Sequence, residues 1–263
     1  MADRTLDQVR QIVARAGELA LADFGRFDTG LKVWDKSPGN PVSETDMAVD
    51  GFLRRELSAI VPDAGWLSEE TLDHPRRLDH DRIWVVDPID GTRDFVRGRP
   101  GWAISVALVE HGRPLFGVLC APARQESWWA GQGSGAWRNG VALHASSRTQ
   151  FSGSRVPADQ LPGVDRDLVI VPKPNSIALR MAMVAADEAD LLASLRWGYE
   201  WDICAAALIA GEAGARVTDA LGQDLRFNKA RANDFGILCC APAIHADAVA
   251  RLADRAAEVI GKS

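Results

Sequence analysis

The sequence predicts an α/β protein built from layered helices and sheets, and three observations carry that expectation. Two amphipathic helical patterns open the chain, a series of short apolar and alternating segments follows, and strand and helix patterns alternate through the second half. There is no repeat of fixed period. At 263 residues the chain can bury a substantial core, as one large domain or two closely packed ones.

Residues 5–24 place Leu6, Val9, Ile12, Val13, Ala16, Leu19 and Ala20 at helical spacing, which predicts a core-facing helix. The stretch from Trp34 to Pro41, with Ser37-Pro38-Gly39-Asn40 inside it, reads as an exposed turn-rich segment. Ser43-Glu44-Thr45-Asp46 then precedes a second amphipathic run, Met47 to Ile60, and by local pattern Thr45 or Asp46 fits its N-cap. Residues 65–68 form a brief strand ending in Glu69-Glu70, and 71–82 a polar loop. The continuous apolar run 83–86 predicts a strand buried on both faces. Trp102, Ile104, Val106 and Leu108 alternate with smaller residues, a period-two strand turned by His111-Gly112-Arg113-Pro114 into 115–121. Segments 127–130 and 135–138 follow, and Asn139-Gly140 marks a hairpin into 141–144. Gly131, Gly133 and Gly135 lack a following helix and a Gly-Lys-Ser/Thr, so they read as turn glycines.

The mixed Ser, Arg, Gly and Pro of 146–163 looks like a join. Residues 1–145 are therefore expected to form an α+β part with an antiparallel sheet, and 146–263 a second α/β part. In the latter, 167–171, 215–218 and 236–240 read as strands and 176–186, 201–213 and 243–259 as helices.

Composition excludes several functions. Thirty Lys and Arg against 36 Asp and Glu give a net charge of −6 with no basic block, which argues against a nucleic-acid polymer as partner. No run of eighteen apolar residues exists, so no membrane span is expected, and the N-terminus lacks the apolar core of a signal peptide. Cys120, Cys204, Cys239 and Cys240 sit in apolar runs without CxxC spacing and read as buried thiols, in keeping with a cytoplasmic protein. Five scattered histidines with no i,i+4 pair leave no His-based zinc site, so any metal should be hard and oxygen-bound.

The stretch organising the chain is 83–95, Ile-Trp-Val-Val-Asp-Pro-Ile-Asp-Gly-Thr-Arg-Asp-Phe. A buried strand ends abruptly in Asp87 and Asp90 around Pro88, whose fixed φ turns the chain there. Taken alone this is equally a polar turn with Thr92 as a helix N-cap. Three other places put acids at element ends: Asp46, Glu69 with Glu70, and Asp202 after Trp201. Asp202 alone reads as an N-cap or first-turn acid, favoured by the helix dipole. Together, carboxylates from several segments can converge on two or three Mg²⁺ ions that keep open positions for water and a phosphate oxygen.

These residues carry a resemblance. WVVDPIDGTRDF is similar to the DPxDGTxxF signature of the inositol monophosphatase superfamily. Trp201-Asp202 through Glu212-Ala213-Gly214, with Val217-Thr218-Asp219, is similar to its WDxxA…EAG signature. Val42 to Asp46 and Ser68-Glu69-Glu70 resemble two further motifs, in the right order, with Ser68 where the family usually has Gly. The resemblance implies the αβαβα five-layer sandwich shared with fructose-1,6-bisphosphatases. It also implies a lithium-sensitive phosphatase using two to three Mg²⁺ ions, with Mn²⁺ as a possible substitute. In that pattern Glu69, Asp87 and the Ile89 carbonyl hold one ion, Asp87 bridges to a second held by Asp90 and Asp202, and a third sits at Glu69 through water. Glu69 and Thr92 orient and deprotonate the attacking water, Asp46 bonds Thr92, and the amides of Gly91 and Thr92 bind phosphate.

Substrate choice within the superfamily rests on finer resemblance. Inositol monophosphatases carry an acid about seven residues before Trp-Asp, where this chain has Leu195. Glu200 before Trp201, and the loop Lys173 to Leu179, instead resemble bacterial 3′(2′),5′-bisphosphate nucleotidases, which implies substrate contacts from Ser176 and Glu200. Inositol-1-monophosphatase and then histidinol phosphatase are the alternatives, and a non-catalytic phosphate- or metal-binding regulator is the reading outside the enzymes. The expected partner is a small phosphorylated metabolite, with a homodimer expected by analogy. Lys36 lies in the family's mobile loop, where it either approaches the metals or is solvated.

Overall fold

In the computed structural model, which describes residues 2–26, 30–37 and 40–261, helix α1 (Ala2–Asp23) buries Val9, Val13, Ala16 and Ala20, the stripe its spacing predicts. A short antiparallel hairpin, β1 (Val33–Ser37) and β2 (Asn40–Ser43), follows where the sequence suggested only an exposed turn. The Pro38-Gly39 part of that expected turn lies outside the described residues. Helix α2 (Glu44–Ile60) is capped by Ser43, whose Oγ accepts from the Asp46 amide while the Asp46 carboxylate accepts from the Ser43 amide. This capping box puts the N-cap at Ser43, two residues ahead of Thr45 and three ahead of Asp46.

Next comes a seven-stranded sheet. Its strands are β3 (Gly65–Ser68), β4 (Arg82–Asp90), then, after helix α3 (Thr92–Val96), β5 (Ala103–Glu110), β6 (Arg113–Ala121), β7 (Glu126–Gly131), β8 (Ala136–Arg138) and β9 (Val141–Ala142). They pair in chain order, β3 parallel to β4 and every later pair antiparallel. One face carries Trp84, Val86, Ile104, Val106 and Val118 against α1 and α2. The other carries Ile83, Val85, Ala107 and Leu119 against helices from the second half.

The second half begins with a two-stranded parallel pair, β10 (Arg155–Pro157) and β11 (Val169–Val171); β10 falls within the expected join. Helix α4 (Ile177–Ala185), strand β12 (Leu191–Tyr199), helix α5 (Glu200–Glu212), strands β13 (Arg216–Thr218) and β14 (Asn233–Cys240) and helix α6 (His245–Ile260) complete the chain. The second sheet runs in the order β12-β14-β13, antiparallel throughout. Helices α4 and α5 lie between the sheets: Met181, Cys204, Ala205 and Ile209 share one core with the large sheet and with Leu192, Ile237 and Cys239 of the small one. That middle position is why α5 is nearly uncharged, since a helix apolar all round must be covered on every side. Helix α6 closes the far face through Ala248 and Leu252 on Leu191, Leu238 and Cys240. The layers are thus helix, sheet, helix, sheet, helix. Each fully buried Leu or Ile at these seams contributes roughly 1.5–3 kcal/mol. No helix among the described residues is long and apolar enough to cross a membrane.

Candidate metal centre and its cleft

Strand pairing assembles the acids. β3 and β4 are parallel with Ser68 opposite Val86, and the Glu69 amide donates to the Val86 carbonyl at 3.3 Å. Glu69 and Asp87 therefore leave adjacent strands at the same level. On the other side Asp87 faces Ser105 of β5, and the Ser105 hydroxyl donates to the Trp201 carbonyl at 3.4 Å, tying the start of α5 to the sheet. Asp202 follows in the first turn of α5, where its carboxylate accepts from the Tyr199 amide at 3.2 Å. One carboxylate oxygen each from Glu69, Asp87 and Asp202 then lies within 4.8 Å of the others.

Three acids this close repel. Burial holds the Asp87 carboxyl well above the usual carboxylate range, and Glu69, Asp90, Asp202 and Asp46 push it the same way. Asp202 is raised by burial and then by Asp90 and Glu69. The donor set is all hard oxygen with unmatched negative charge, which fits a divalent cation of the Mg²⁺ or Ca²⁺ type rather than a thiolate- or imidazole-seeking one. Lys36, on β1, meets part of that charge: its Nζ donates to Glu69 and Glu70, both at 2.7 Å. Burial disfavours its charge, but the two glutamates outweigh that and raise its pKa. Burial also lifts Glu70 to about 7, with the Lys36 hydrogen bond pulling the other way.

The other expected site residues divide. Thr92 is the first residue of α3, and the N-cap is Gly91, at φ 98°. A Cβ at Gly91 would stand 2.9 Å from the Gly101 carbonyl and 3.0 Å from the Ser176 amide, so both the backbone angle and the space call for glycine. The Thr92 hydroxyl lies 3.1 Å from the Ile89 carbonyl and 3.3 Å from Asp46 Oδ1, and its one proton serves one at a time. Asp46 is fully enclosed; burial raises its pKa to about 6 against the stabilising hydrogen bonds of Ser43. Asp90 lines the same cleft, yet its carboxylate is turned onto the start of α4, accepting from Ser176 Oγ at 2.5 Å, the Ala178 amide at 2.8 Å and the Ile177 amide at 3.3 Å. It stands beside the trio rather than in it.

Two expected substrate contacts are buried and bonded within the protein. Ser176 is fully buried as the N-cap of α4, and its hydroxyl donates its one proton to Asp90 while accepting from the Leu179 amide. Glu200 is also fully buried, accepting from the amides of Asn228 at 2.6 Å and Lys229 at 3.0 Å. The reason is helical geometry: Glu200 and Asp202 are two residues apart, roughly 200° around α5, so they face opposite sides. Ser68, where the resemblance expected Gly, donates to Asp50 at 2.5 Å, and Thr71 donates to the other oxygen of Asp50 at 2.8 Å. Asp50 thus anchors the Glu69-Glu70 segment from α2.

The acids open into a cleft of 490 Å³ that also presents Gly91, Thr92, Arg93, Arg180, Arg196 and the aromatic rings of Trp197, Tyr199 and Trp201. The model of the inositol monophosphatase family matches residues 2–258 of the chain. The chain belongs to the inositol monophosphatase family. It is similar to a histidinol-phosphatase of Mycobacterium tuberculosis, at 34% identity across 79% of this chain and 84% of that one. An inositol-1-monophosphatase of Rhizobium meliloti is 32% identical across 82% and 86%. Among solved structures, the inositol monophosphatase of Thermotoga maritima superposes with a TM-score of 0.80 at 31% identity, covering 98% of this chain and 99% of that one. As a member of the inositol monophosphatase family the chain is a phosphoric monoester hydrolase.

What the sequence did not indicate is the far wall of the cleft. A bulge in β12, between Ser194 and Trp197, interrupts its alternation, and Arg196, Trp197, Gly198 and Tyr199 all reach the cleft. Trp197 and Tyr199 are about half exposed (53% and 52%), large rings left facing solvent beside an acid cluster. Tyr199 stacks on Trp201 with ring centroids 4.4 Å apart.

Proposed function

We propose that the protein is a Mg²⁺-dependent phosphomonoesterase that hydrolyses a small phosphorylated metabolite by direct attack of water. The observation that carries the reading is the convergence of Glu69, Asp87 and Asp202, from three separate elements, to within 4.8 Å at the floor of an open cleft. Bound there, Mg²⁺ supplies Lewis-acid polarisation of the phosphate and a lowered pKa for coordinated water, and Mn²⁺ is a plausible replacement on the same oxygen donors. Glu69, Asp87 and Asp202, with the Ile89 carbonyl and Asp90 at hand, are the residues to hold the ions. Glu69 would accept a hydrogen bond from the attacking water. Thr92 Oγ1 can take a proton from that water while passing its own to Asp46 Oδ1, 3.3 Å away. The amides of Gly91 and Thr92, at the turn into α3, would bind the phosphate oxygens. As the water oxygen bonds to phosphorus the ester P–O bond breaks, and the leaving alkoxide is protonated by solvent.

For the substrate we favour a 3′(2′),5′-bisphosphate nucleotide, with 3′-phosphoadenosine 5′-phosphate converted to AMP. Exposed Trp197 and Tyr199 along the cleft suit a planar base, since ring stacking is worth about 1–3 kcal/mol. The relatives named inositol-1-monophosphatase and histidinol-phosphatase favour those two esters as the second reading. We place such an enzyme in the cytoplasm, where small phosphorylated metabolites are found. The test is phosphate release from 3′-phosphoadenosine 5′-phosphate, inositol 1-phosphate and histidinol phosphate, with and without Li⁺. Preference for the nucleotide, with inhibition by Li⁺, is expected. Preference for inositol 1-phosphate would replace the substrate assignment. Binding of phosphate esters without release of phosphate from any would make the protein a regulator on this fold.

A further inference from the structure

The cleft does not end at the aromatic wall. A second cavity of 810 Å³ adjoins it, and the two share Arg93, Asn175, Arg180, Ser194 and Arg196. Three of the five shared residues are arginines. The Arg180 guanidinium is half-buried; its Nε donates to the Pro174 carbonyl at 2.8 Å and one terminal nitrogen to the Asn175 carbonyl at 2.6 Å, and it forms no ion pair among the described residues. Arg196 is exposed and makes no hydrogen bond or ion pair with a described residue. The acids of the adjoining cavity are already matched: Asp159 pairs with Lys173 at 2.5 Å, and Asp165 with Arg255 at 2.7 Å and Arg251 at 3.4 Å. Asp94, near the same junction, accepts from the Asn175 amide at 3.3 Å.

A positive charge that is desolvated and set beside another positive charge is disfavoured unless an anion joins it. Burial lowers the Arg180 pKa and Arg196 pushes it the same way, against the pull of Asp90, Asp159 and Asp94. Guanidinium groups are suited to phosphate because their planar donors match its oxygens in pairs. Arg196 stands between Leu195 and Trp197 in the β12 bulge, beside the rings proposed to receive the base.

We infer that Arg196, with Arg180 behind it, forms a second anion subsite that selects phosphomonoesters carrying another phosphoryl group over the same ester without one. The inference rests on the phosphatase reading above and deepens it, because it names the residues that recognise the part of the substrate not hydrolysed. Histidinol phosphate, whose remaining groups are cationic or neutral, would be disfavoured at this junction.

The experiment compares kcat/KM for 3′-phosphoadenosine 5′-phosphate with that for adenosine 3′-phosphate, two esters with the same scissile bond that differ in the 5′-phosphate. The wild-type ratio is expected to be at least about tenfold in favour of the bisphosphate, in line with a charge-assisted contact. Arg196→Ala should bring the ratio towards unity, Arg196→Glu should invert it, and Arg196→Lys should restore part of it. The ratio is internally controlled, since both esters report on the same folded centre. A wild-type ratio near one, or a ratio unchanged in Arg196→Ala, overturns the subsite. If the wild type releases phosphate from no ester, the phosphatase reading falls instead. Calorimetric binding of the same two nucleotides to the wild type and Arg196→Ala, with Mg²⁺ present, then decides the subsite: equal affinities overturn it, and tighter bisphosphate binding lost in the variant supports it.

Discussion

Replacing Asp87 by Asn should stabilise the metal-free protein while removing its activity. Asp87 is buried, and one of its oxygens lies within 4.8 Å of oxygens of both Glu69 and Asp202. Two unit charges at 4.8 Å in a medium of effective dielectric constant about 20 repel by roughly 3.5 kcal/mol. Proton uptake by these acids relieves part of the strain, which leaves a gain of about 3 kcal/mol when the Asp87 charge is deleted. Asn has nearly the same shape, and its Oδ1 can still accept from the Ile89 amide, a 3.0 Å contact in the wild type. At about 2.1 cal/mol/K per residue, the unfolding entropy of a 263-residue chain converts this into a rise of about 5 °C in melting temperature. The assay is differential scanning calorimetry at neutral pH in chelator and then in Mg²⁺. In chelator the variant should melt above the wild type; in Mg²⁺ the wild type should gain and the variant should not. A variant that melts at or below the wild type in chelator would refute the charge-repulsion argument and with it the reading of the acids as an unmatched metal site.

Three further outcomes are expected. Lys36→Ala removes a cation from Glu69 and Glu70, so the Mg²⁺ concentration for half-maximal phosphate release should fall about threefold, the scale of a partly exposed ion pair; a rise would mean that Lys36 assists the metal. Asp190 is buried and, despite that burial, its hydrogen bonds from Arg155 and Ser146 and the Arg155 charge lower its pKa to about 2. A depressed carboxyl contributes stability above its unfolded pKa of about 4, so Asp190→Asn should cost about 2 kcal/mol in urea unfolding at neutral pH. The difference should close as pH falls from about 4 to 2, and a gap independent of pH would exclude the linkage. Glu200→Gln leaves one carbonyl oxygen to serve two backbone amides, so it should cost about 1–2 kcal/mol of stability while leaving the ranking of phosphate esters unchanged. A changed ranking would return Glu200 to the substrate site.

The acids were legible in the sequence because each ends an element whose pattern is strong. The run 83–86 announces a buried strand, and the apolar run after Asp202 a buried helix, so their junctions are marked. Convergence was not legible, because it depends on β3 lying parallel to β4 and on Ser105 reaching the Trp201 carbonyl, neither of which leaves a local signal. Asp90 carries the right residue type at the right place, but its partners, Ser176, Ile177 and Ala178, are more than eighty residues away. The burial of Glu200 was not legible either: adjacency to Trp201-Asp202 suggests a shared face, whereas a helix separates residues two apart by more than half a turn. The β12 strand escaped notice for a related reason. Its bulge between Ser194 and Trp197 breaks the alternation that would have announced it. The β1–β2 hairpin was hidden because Ser37, Asn40 and Pro41, turn-forming residues by type, lie in its paired strands. The specificity wall of the cleft is therefore the part least visible in the sequence.

Phosphate release by the purified protein in Mg²⁺, after chelation, and after Mg²⁺ is restored, run beside Asp87→Asn and Asp202→Asn, tests the central claim most directly. The account predicts turnover that vanishes in chelator, returns with Mg²⁺, and is lost by at least about a thousandfold in either variant, since each removes a charge that holds the ions. Turnover that persists in chelator, or folded variants that work at near wild-type rates, would contradict a metal centre built from Glu69, Asp87 and Asp202.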